Sequence, residues 1–273
     1  MATVVFLHAH PDDECLTTGG TIARLAAEGH RVVLVTATDG ALGECPEGLL
    51  AEGETLAERR AEEVRASAEV LGVAEHRFLG YGDSGMVGTE GNAAPGAFCN
   101  ADVEEAASRL AGWLEEEGVD VLVAYDDHGG YGHPDHIQVH HVGLRAADLA
   151  GTPGLYQVTV NRDLMVRLIR QAAEQAMAGP DQDGPSEEML ATIGLPESEI
   201  TTFVEVTAFL PTKLESMRCH QTQVGDMGFF LDMPVEAFAG AFGVEWYVRM
   251  RAPEETPVDH LVAVAGRARG SGG

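Results

Sequence analysis

The first 150 residues alternate between short apolar runs and longer helical patterns, and this alternation restricts the chain to few folds. Residues 3–8 form an apolar run, residues 18–29 have a helical pattern, and residues 31–36 form a second run rich in β-branched side chains. A strand, a helix and another strand in this order form a βαβ unit, whose two strands lie parallel. We therefore expect a parallel sheet at the start of the chain.

The alternation continues toward residue 150. A helical segment at 54–71 ends before Gly72, and a strand, a helix and a further strand are predicted at 76–81, 101–117 and 119–125. Another helix begins near residue 133. Repeated units of this kind predict an α/β fold with a Rossmann-like, doubly wound, mostly parallel sheet.

Beyond Thr152 the pattern is less regular. Residues 179–184 form a polar segment with proline and glycine, residues 203–206 fit a strand, and residues 212–220 fit a helix. This weaker patterning predicts a smaller lobe that covers the ligand-binding edge of the sheet.

Three regions follow from this organisation. We expect residues 1–152 to form a Rossmann-like metal-binding catalytic region and residues 153–265 to form a C-terminal lobe that shapes the substrate pocket. The tail at 266–273 is rich in glycine, arginine and serine, and we expect it to be disordered.

The formal net charge of −27 excludes one class of partner. So acidic a chain repels phosphate backbones, and we expect no nucleic-acid partner. The hydrophobic fraction of 45% is that of a globular protein, and no apolar run reaches the ~20 residues that a membrane helix requires. We therefore expect no membrane association. The sequence leaves the oligomeric state open, and a homo-oligomer is one of the states that it allows.

The N-terminus and the cysteines indicate a cytoplasmic protein. The chain opens directly into the apolar run at 3–8, without a basic leader or a small-residue cleavage site. The four cysteines form no C-x-x-C pair and lie far apart, at Cys15, Cys45, Cys99 and Cys219. This spacing argues against a disulfide framework and against a thiolate zinc site, so we expect free thiols.

A cluster of acids and a histidine follows the first predicted strand. Positions 9–14 read AHPDDE, at the carboxyl end of a strand, where open α/β sheets bind their ligands. A dinucleotide-binding site would need glycines here, and the acids would repel a pyrophosphate. His10 and Asp13 instead have a spacing that suits two metal ligands, and a catalytic zinc needs a third ligand from elsewhere.

A second histidine-rich segment follows the fourth predicted strand and can supply that ligand. Positions 129–136 read GGYGHPDH. Pro134 fits the first position of a helix, so His133 and His136 would lie three residues apart on its opening turn and face the same way. Two roles at one site can therefore be filled from this turn.

Each feature also has an ordinary structural explanation. A single histidine is usually solvated, Asp12 and Asp13 suit the N-terminus of a helix, and HPDH suits a helix cap. Their joint occurrence after two strands favours a single functional site.

The two motifs together resemble a known family. AHPDDE followed by GGT at 19–21, with GGYGHPDH at 129–136, is similar to the PIG-L/LmbE-like N-deacetylase superfamily, and especially to its actinobacterial mycothiol-pathway members. The resemblance covers about residues 3–150 and returns weakly at 214–223 and 245–247, whereas we place no family pattern in residues 155–210. The exact substrate and the acyl group are therefore left open.

The resemblance implies a zinc-dependent amide hydrolase that removes an acyl group, most simply acetyl, from an amino sugar or its conjugate. It implies that His10, Asp13 and His136 bind the metal and that Asp12 is the general base. Zinc lowers the pKa of a bound water to about 7, and an adjacent carboxylate can accept the proton as the water attacks the amide. The sequence does not distinguish zinc from ferrous iron at such a site.

The resemblance also implies roles for the rest of the second motif. His133 would stabilise the tetrahedral oxyanion or protonate the departing amine, with Asp135 orienting its ring, and Tyr131 would donate to the same oxyanion. A simple acid at a helix N-terminus is an equally good explanation of Asp135.

Three charged residues match family positions that would bind substrate hydroxyls, namely Glu44, Arg60 and Asp83. Arg60 has an ordinary alternative, a helix-surface ion pair with Glu62 or Glu63. His220 and Gln223 resemble a later family motif, but a histidine that caps a helix C-terminus is equally consistent. We therefore leave those two residues out of the catalytic set.

The leading function is thus metal-dependent N-deacetylation of a small-molecule amino sugar or its conjugate. An amidase that cleaves larger thiol or natural-product conjugates would need only a roomier pocket around the same metal site. A non-catalytic metal-binding or sugar-binding relative would keep the fold alone, but the intact Asp12 and His133 argue against it.

Overall fold

The computed structural model describes residues 1–174 and 187–263, which contain a seven-stranded sheet. The strands are β1 (Thr3–His8), β2 (Arg31–Thr38), β3 (Glu75–Tyr81), β4 (Val121–Tyr125), β5 (Gly154–Thr159), β6 (Thr202–Glu205) and β7 (Val244–Arg251). Their order across the sheet is β3-β2-β1-β4-β5-β7-β6. Strands β1 to β5 run parallel, and β7 runs antiparallel to its neighbours β5 and β6.

The described helices are α1 (Gly19–Ala27), α2 (Leu56–Leu71), α3 (Val103–Glu117), α4 (Pro134–Ala150), α5 (Arg162–Glu174), α6 (Glu187–Thr192), α7 (Leu210–Cys219), α8 (Val224–Leu231) and α9 (Val235–Phe242). A π-helical turn, Glu14–Thr18, precedes α1. Helix α2 begins at a capping box between Thr55 and Glu58 and ends at Gly72, whose φ of 77° suits glycine.

β1 lies in the interior of the sheet. The strands that follow it in the chain are added first on one side of β1 and then on the other. β2 and β3 extend on one side of β1, and β4 and β5 on the other. Val4 pairs with both Val32 of β2 and Val121 of β4. The carboxyl ends of β1 and β4 therefore form the switch point at which such sheets bind ligands. Both sequence motifs follow these two strands.

The parallel strands are buried on both faces, as their continuous apolar sequences require. All five residues of β4 and all six of β5 are buried. The apolar side chains of β1, β2 and β4 form one core cluster with those of α1, α3 and α4. This core holds the strand ends at the switch point in place.

A second apolar cluster joins the C-terminal helices to the loop after β1. It consists of Cys15, Leu210, Met217, Met227 and Phe238. Helices α7 to α9 are thereby packed against the π-helical turn that carries Cys15. The end of α7 consequently lies beside the first motif.

A buried ion pair ties β7 to the start of α1. Glu245 accepts hydrogen bonds from the backbone N–H groups of Gly20 and Thr21, each at 2.8 Å. Lys213 Nζ lies 2.6 Å from the same carboxylate. The negative charge at the N-terminus of a helix is favourable, and the lysine neutralises it.

The predicted α/β fold with a doubly wound, mostly parallel sheet is confirmed, and the strands predicted before residue 150 correspond to β1–β4. The sequence did not predict β5 and β7, which extend the sheet beyond residue 152. The division into a catalytic region at 1–152 and a lobe at 153–265 stays a prediction. The polar segment at 179–184 and the tail at 266–273 lie outside the described residues.

All four cysteines are free, as the sequence predicted. Among the helices of the described ranges, none combines the length and the apolar character needed to cross a bilayer.

Candidate active site

Three potential metal ligands from the two motifs converge at the switch point. His10 Nδ1 lies 3.3 Å from His136 Nε2 and 3.5 Å from Asp13 Oδ2. His136 Nε2 lies 3.4 Å from Asp13 Oδ1. Ligands about 2.0–2.1 Å from a tetrahedral zinc lie about 3.3–3.4 Å from one another. The three side chains therefore approach one another at about these separations, with one Asp13 oxygen facing each ring.

The other nitrogen of each ring fixes its tautomer. His136 Nδ1 is 3.1 Å from the carbonyl oxygen of Gly129, which can only accept, so Nδ1 carries the proton. His10 Nε2 donates in the same way to Asp135 Oδ2 at 3.2 Å. In the neutral form of both rings, the lone pairs of His10 Nδ1 and His136 Nε2 face the Asp13 carboxylate. This His/Asp cluster is therefore able to hold a metal cation.

His133 differs from His136 in the nitrogen that it presents. His133 is the N-cap of α4, and its Nδ1 accepts the backbone N–H of Asp135 at 3.1 Å. The proton of the neutral ring must then sit on Nε2. Burial, together with the nearby His10 and His136, lowers the pKa of His133 to about 4. His133 is therefore a neutral N–H donor beside the cluster, although its ring lies close enough to be considered as a ligand.

Asp135 hydrogen-bonds to the His10 ring, and its role in orienting the His133 ring stays a prediction. Its carboxylate accepts hydrogen bonds from the backbone N–H of Ser84, at 2.9 Å, and from the Ser84 hydroxyl. It also accepts a hydrogen bond from His10 Nε2–H. Asp135 is fully buried, because these donors satisfy it. Its backbone N–H donates a hydrogen bond to His133 Nδ1.

Asp12 has an unusual backbone conformation. Its φ is 127°, and among the described residues it is the one residue other than glycine that has a positive φ. Such a conformation costs about 1–3 kcal/mol and occurs mostly at functional sites. Its carboxylate lies 3.1 Å from Arg60 Nη2. Burial raises the pKa of Asp12 to about 6, against the opposing effect of the Arg60 charge.

Arg60 is buried and faces the first motif instead of solvent. Only 3% of the residue is exposed, and its guanidinium donates to the carbonyl oxygens of Gly40 at 2.8 Å and Pro11 at 2.6 Å. The structure does not show the alternative for Arg60, a surface ion pair with Glu62 or Glu63. Arg60 contacts the loop that carries Asp12.

The other predicted sugar-binding residues lie at different depths. Asp83 is buried, and its Oδ1 lies 3.5 Å from His10 Nε2. Glu44 is exposed, and its backbone carbonyl accepts a hydrogen bond from Gln223 Nε2 at 2.8 Å. Glu44 lines a cavity of about 180 Å³ together with Cys45, Thr222 and Gln223. Asp83 thus lies at the His10 ring, and Glu44 lies at this separate cavity.

Tyr131 lies at the mouth of the site. Its side chain is about half exposed, and its ring centroid is 4.9 Å from that of His136 and 6.2 Å from that of His133. Burial and the surrounding carboxylates raise the pKa of the Tyr131 phenol well above its usual value. The phenol therefore stays protonated and can act as a donor.

Sequence reasoning missed several supporting residues. Glu14 belongs to the first motif and received no role, yet it is fully buried and bonds His220 Nε2 at 2.7 Å. Tyr125 stacks on His136 with ring centroids 4.6 Å apart. Ser84 holds Asp135. The run of three acids at Asp12–Glu14 was a signal for Glu14, since one helix start does not need three.

Comparison with solved structures supports the fold. N,N'-diacetylchitobiose deacetylase from Pyrococcus horikoshii superposes with a TM-score of 0.56 at 23% identity, over 91% of this chain and 84% of that chain. The 4-carboxy-2-hydroxymuconate hydratase of Pseudomonas putida gives a TM-score of 0.57 at 18% identity, over 94% and 100%. A deacetylase and a hydratase share this fold, so the fold alone does not determine the reaction.

Sequence comparison identifies the family. Residues 5–147 match the PIG-L model, described as GlcNAc-PI de-N-acetylase. The 1D-myo-inositol 2-acetamido-2-deoxy-alpha-D-glucopyranoside deacetylase of Thermomonospora curvata is 41% identical over 272 residues, which cover 92% of this chain and 91% of that protein. The chain therefore belongs to the PIG-L family, and it is an N-deacetylase, as its two motifs led us to expect.

Proposed function

We propose that this N-deacetylase is a zinc enzyme that removes the acetyl group from an N-acetylglucosaminyl-inositol. The observation that carries the proposal is the convergence of His10, Asp13 and His136, with both rings held in the tautomer that a metal requires. The substrate is taken from the relative in Thermomonospora curvata, which is named for the inositol conjugate.

The residues proposed to hold the metal are His10, Asp13 and His136. Two imidazoles and a carboxylate suit zinc, and ferrous iron is the alternative for the same donor set. The chemistry that zinc supplies when bound is polarisation of the amide carbonyl and acidification of a water molecule. Asp135 and the Gly129 carbonyl would orient the two rings from behind.

Asp12 is proposed as the general base. It accepts a proton from the water that attacks the acetyl carbonyl, and Arg60 holds its carboxylate in place. The Nε2–H of His133 donates to the oxygen that becomes negative, and the Tyr131 phenol donates from the mouth of the site. When the C–N bond breaks, the proton held by Asp12 passes to the amine, and acetate and the free amino sugar are released.

The sugar and its inositol substituent would occupy neighbouring positions. Asp83 lies at His10 and would bind a hydroxyl of the amino sugar. The cavity of about 180 Å³ lined by Glu44 and Gln223 lies beside Arg60, whose Nη1 is close to Gly43. We assign this cavity to the inositol ring, because a carboxylate and an amide suit a polyol. Arg60 would act on substrate only through the Asp12 loop.

Three other expectations about this enzyme concern its location, its oligomeric state and its C-terminal lobe. A cytoplasmic location and a pocket-shaping role of the lobe at 153–265 stay predictions, and the oligomeric state stays open. An amidase for larger thiol conjugates is the competing activity, and a non-catalytic relative is excluded if acetate is released.

The test is the release of the free sugar amine from three substrates by protein stripped of metal and then reloaded. The substrates are the N-acetylglucosaminyl-inositol, N-acetylglucosamine alone and a thiol conjugate of the deacetylated and re-acylated sugar. We expect zinc-dependent turnover with the highest kcat/KM on the inositol conjugate. Preference for the thiol conjugate would favour the amidase, and undiminished turnover by the stripped protein would contradict a metal mechanism.

A further inference from the structure

Two consecutive aspartates of the first motif face different partners. The Asp13 carboxylate faces His10 and His136, whereas the Asp12 carboxylate faces Arg60. The backbone produces this separation. Asp12 has a φ of 127°, and Asp13 returns to the helical region with φ −56° and ψ −36°. The conformation of Asp12 thus decides where each acid points.

Glu14 bonds directly to the backbone of Asp12. Its Oε2 accepts the Asp12 backbone N–H at 3.0 Å. A buried N–H without an acceptor is unfavourable, so this bond favours the backbone conformation that orients the N–H toward Glu14. Arg60 Nη2 holds the preceding carbonyl, that of Pro11, at 2.6 Å. Asp12 is therefore fixed from both sides.

Two further elements fix the carboxylate of Glu14. Its Oε1 accepts the Ser67 hydroxyl of α2 at 2.5 Å and His220 Nε2, just after α7, at 2.7 Å. All three residues are fully buried. His220 Nδ1 has no hydrogen-bond partner within the described part of the chain, so Glu14 is the anchor of that ring. With Oε1 occupied, Oε2 remains for Asp12.

We propose that Glu14 is a positioning residue for the deacetylation, acting through the backbone of Asp12 and supported by Ser67 and His220. It contacts neither the cluster of His10, Asp13 and His136 through its carboxylate nor the cavity assigned to substrate. Its effect on the reaction is to hold the Asp12 carboxylate where it can accept the proton of the attacking water. The inference rests on the proposed role of Asp12 as the base.

A double-mutant cycle between Glu14 and Asp12 tests the inference with zinc-loaded, full-length protein and the N-acetylglucosaminyl-inositol. Glu14→Gln keeps the volume of the side chain but replaces one acceptor oxygen by an amide donor, so one set of its hydrogen bonds is lost. We expect kcat to fall ~10- to 100-fold, since small misplacements of catalytic groups have effects of this order. KM should change less than about 2-fold, because substrate contacts are untouched, and bound zinc should stay at the wild-type level.

The decisive arm is Glu14→Gln in the Asp12→Asn background. If Glu14 acts through Asp12, the second substitution should lower kcat less than about 3-fold there, because residues that act as a unit are strongly non-additive. Equal losses in the two backgrounds would overturn the inference and leave the proposed function standing. Full turnover by Asp12→Asn alone would overturn the inference and the role of Asp12 as the base, whereas the deacetylation of this substrate would still stand.

Two more variants separate positioning from general destabilisation. Glu245→Gln alters another buried carboxylate that accepts two backbone N–H groups, but its bonds run to α1 and Lys213. We expect it to lower the urea midpoint with kcat within about 2-fold of wild type. If Glu14→Gln does not fold, Ser67→Ala replaces it, since this change removes one donor to Glu14. A Ser67→Ala loss of kcat that persists in the Asp12→Asn background would also overturn the inference.

Discussion

The Nδ1 atom of His10 lies 3.3 Å from the Nε2 atom of His136, although each ring uses its other nitrogen as a donor elsewhere. Two lone pairs and the Asp13 carboxylate at this separation are unfavourable unless a cation lies among them. His10 follows β1 and His136 begins α4, so a bound metal joins two segments that are far apart in the chain. Metal binding should therefore stabilise the fold as well as enable the reaction.

Replacing His136 by alanine should remove a ligand. We expect zinc affinity to fall by more than about 100-fold, since loss of even a supporting residue typically costs ~10- to 100-fold. The rise in melting temperature on addition of zinc should also disappear. His141→Ala is the matched control, because His141 is an exposed histidine on the same helix. Zinc bound stoichiometrically by dialysed His136→Ala protein would contradict the assigned ligand set.

Replacing His133 by alanine should affect turnover without affecting the metal. Its Nδ1 accepts a backbone N–H, so the ring offers a donor and no lone pair to the cluster. We expect kcat to fall ~10²- to 10³-fold, as for loss of one oxyanion donor, with unchanged bound zinc. Metal analysis of the purified variant beside its kinetics checks this, and loss of zinc would make His133 a ligand.

Glu44 and Arg60 should differ in the substrates that they affect. Arg60 holds the Asp12 loop, so Arg60→Ala should lower kcat on the inositol conjugate and on N-acetylglucosamine by similar factors. Glu44→Ala should lower kcat/KM for the inositol conjugate alone, because the binding energy of a remote group positions the amide of the larger substrate only. The comparison of kcat/KM for both substrates measures this. A substrate-selective loss in Arg60→Ala would instead support the sugar-binding role that the sequence predicts for Arg60.

His76 on β3 should make stability depend on pH. Burial lowers the pKa of His76 to about 4, and Thr36 bonds its Nε2 at 2.9 Å. The unfolded chain binds a proton near pH 6.5 and the native state only near pH 4, so stability should fall as the pH is lowered through this window. His76→Gln should reduce the difference between urea midpoints at pH 7 and pH 5. An unchanged difference, equal to that of an exposed-site control at His141→Gln, would contradict the assignment.

The fold before residue 150 could be predicted because its strands are continuous apolar runs separated by strongly patterned helices. β7 could not be predicted because its sequence, VEWYVRMR, mixes charged and aromatic residues. The strand also pairs with β5 and β6, which are separated from each other by a long segment of the chain. The convergence of the two motifs followed from their positions after β1 and β4. Strand order alone was enough for that, since parallel strand ends meet at one edge of a sheet.

The roles of individual side chains depend on contacts that spacing does not encode. The proposal that His136 and not His133 binds the metal rests on the partner of each Nδ1, a backbone N–H for His133 and a carbonyl for His136. Asp135 supports His10, which lies 125 residues away in the chain. The surface ion pair considered for Arg60 is not formed, because α2 packs against the first motif, which is a tertiary feature. The substrate-binding role of Arg60 stays a prediction.

The most direct test of the account is the zinc content and turnover of Asp12→Asn, measured on the same preparation. Asp12 carries no proposed metal contact and accepts the proton of the attacking water, so the variant should bind zinc like the wild type. Its kcat on the N-acetylglucosaminyl-inositol should fall ~10²- to 10⁴-fold, the usual contribution of a general base. Full zinc with full turnover would contradict the role of Asp12, and an emptied metal site would contradict the division of labour between Asp12 and Asp13.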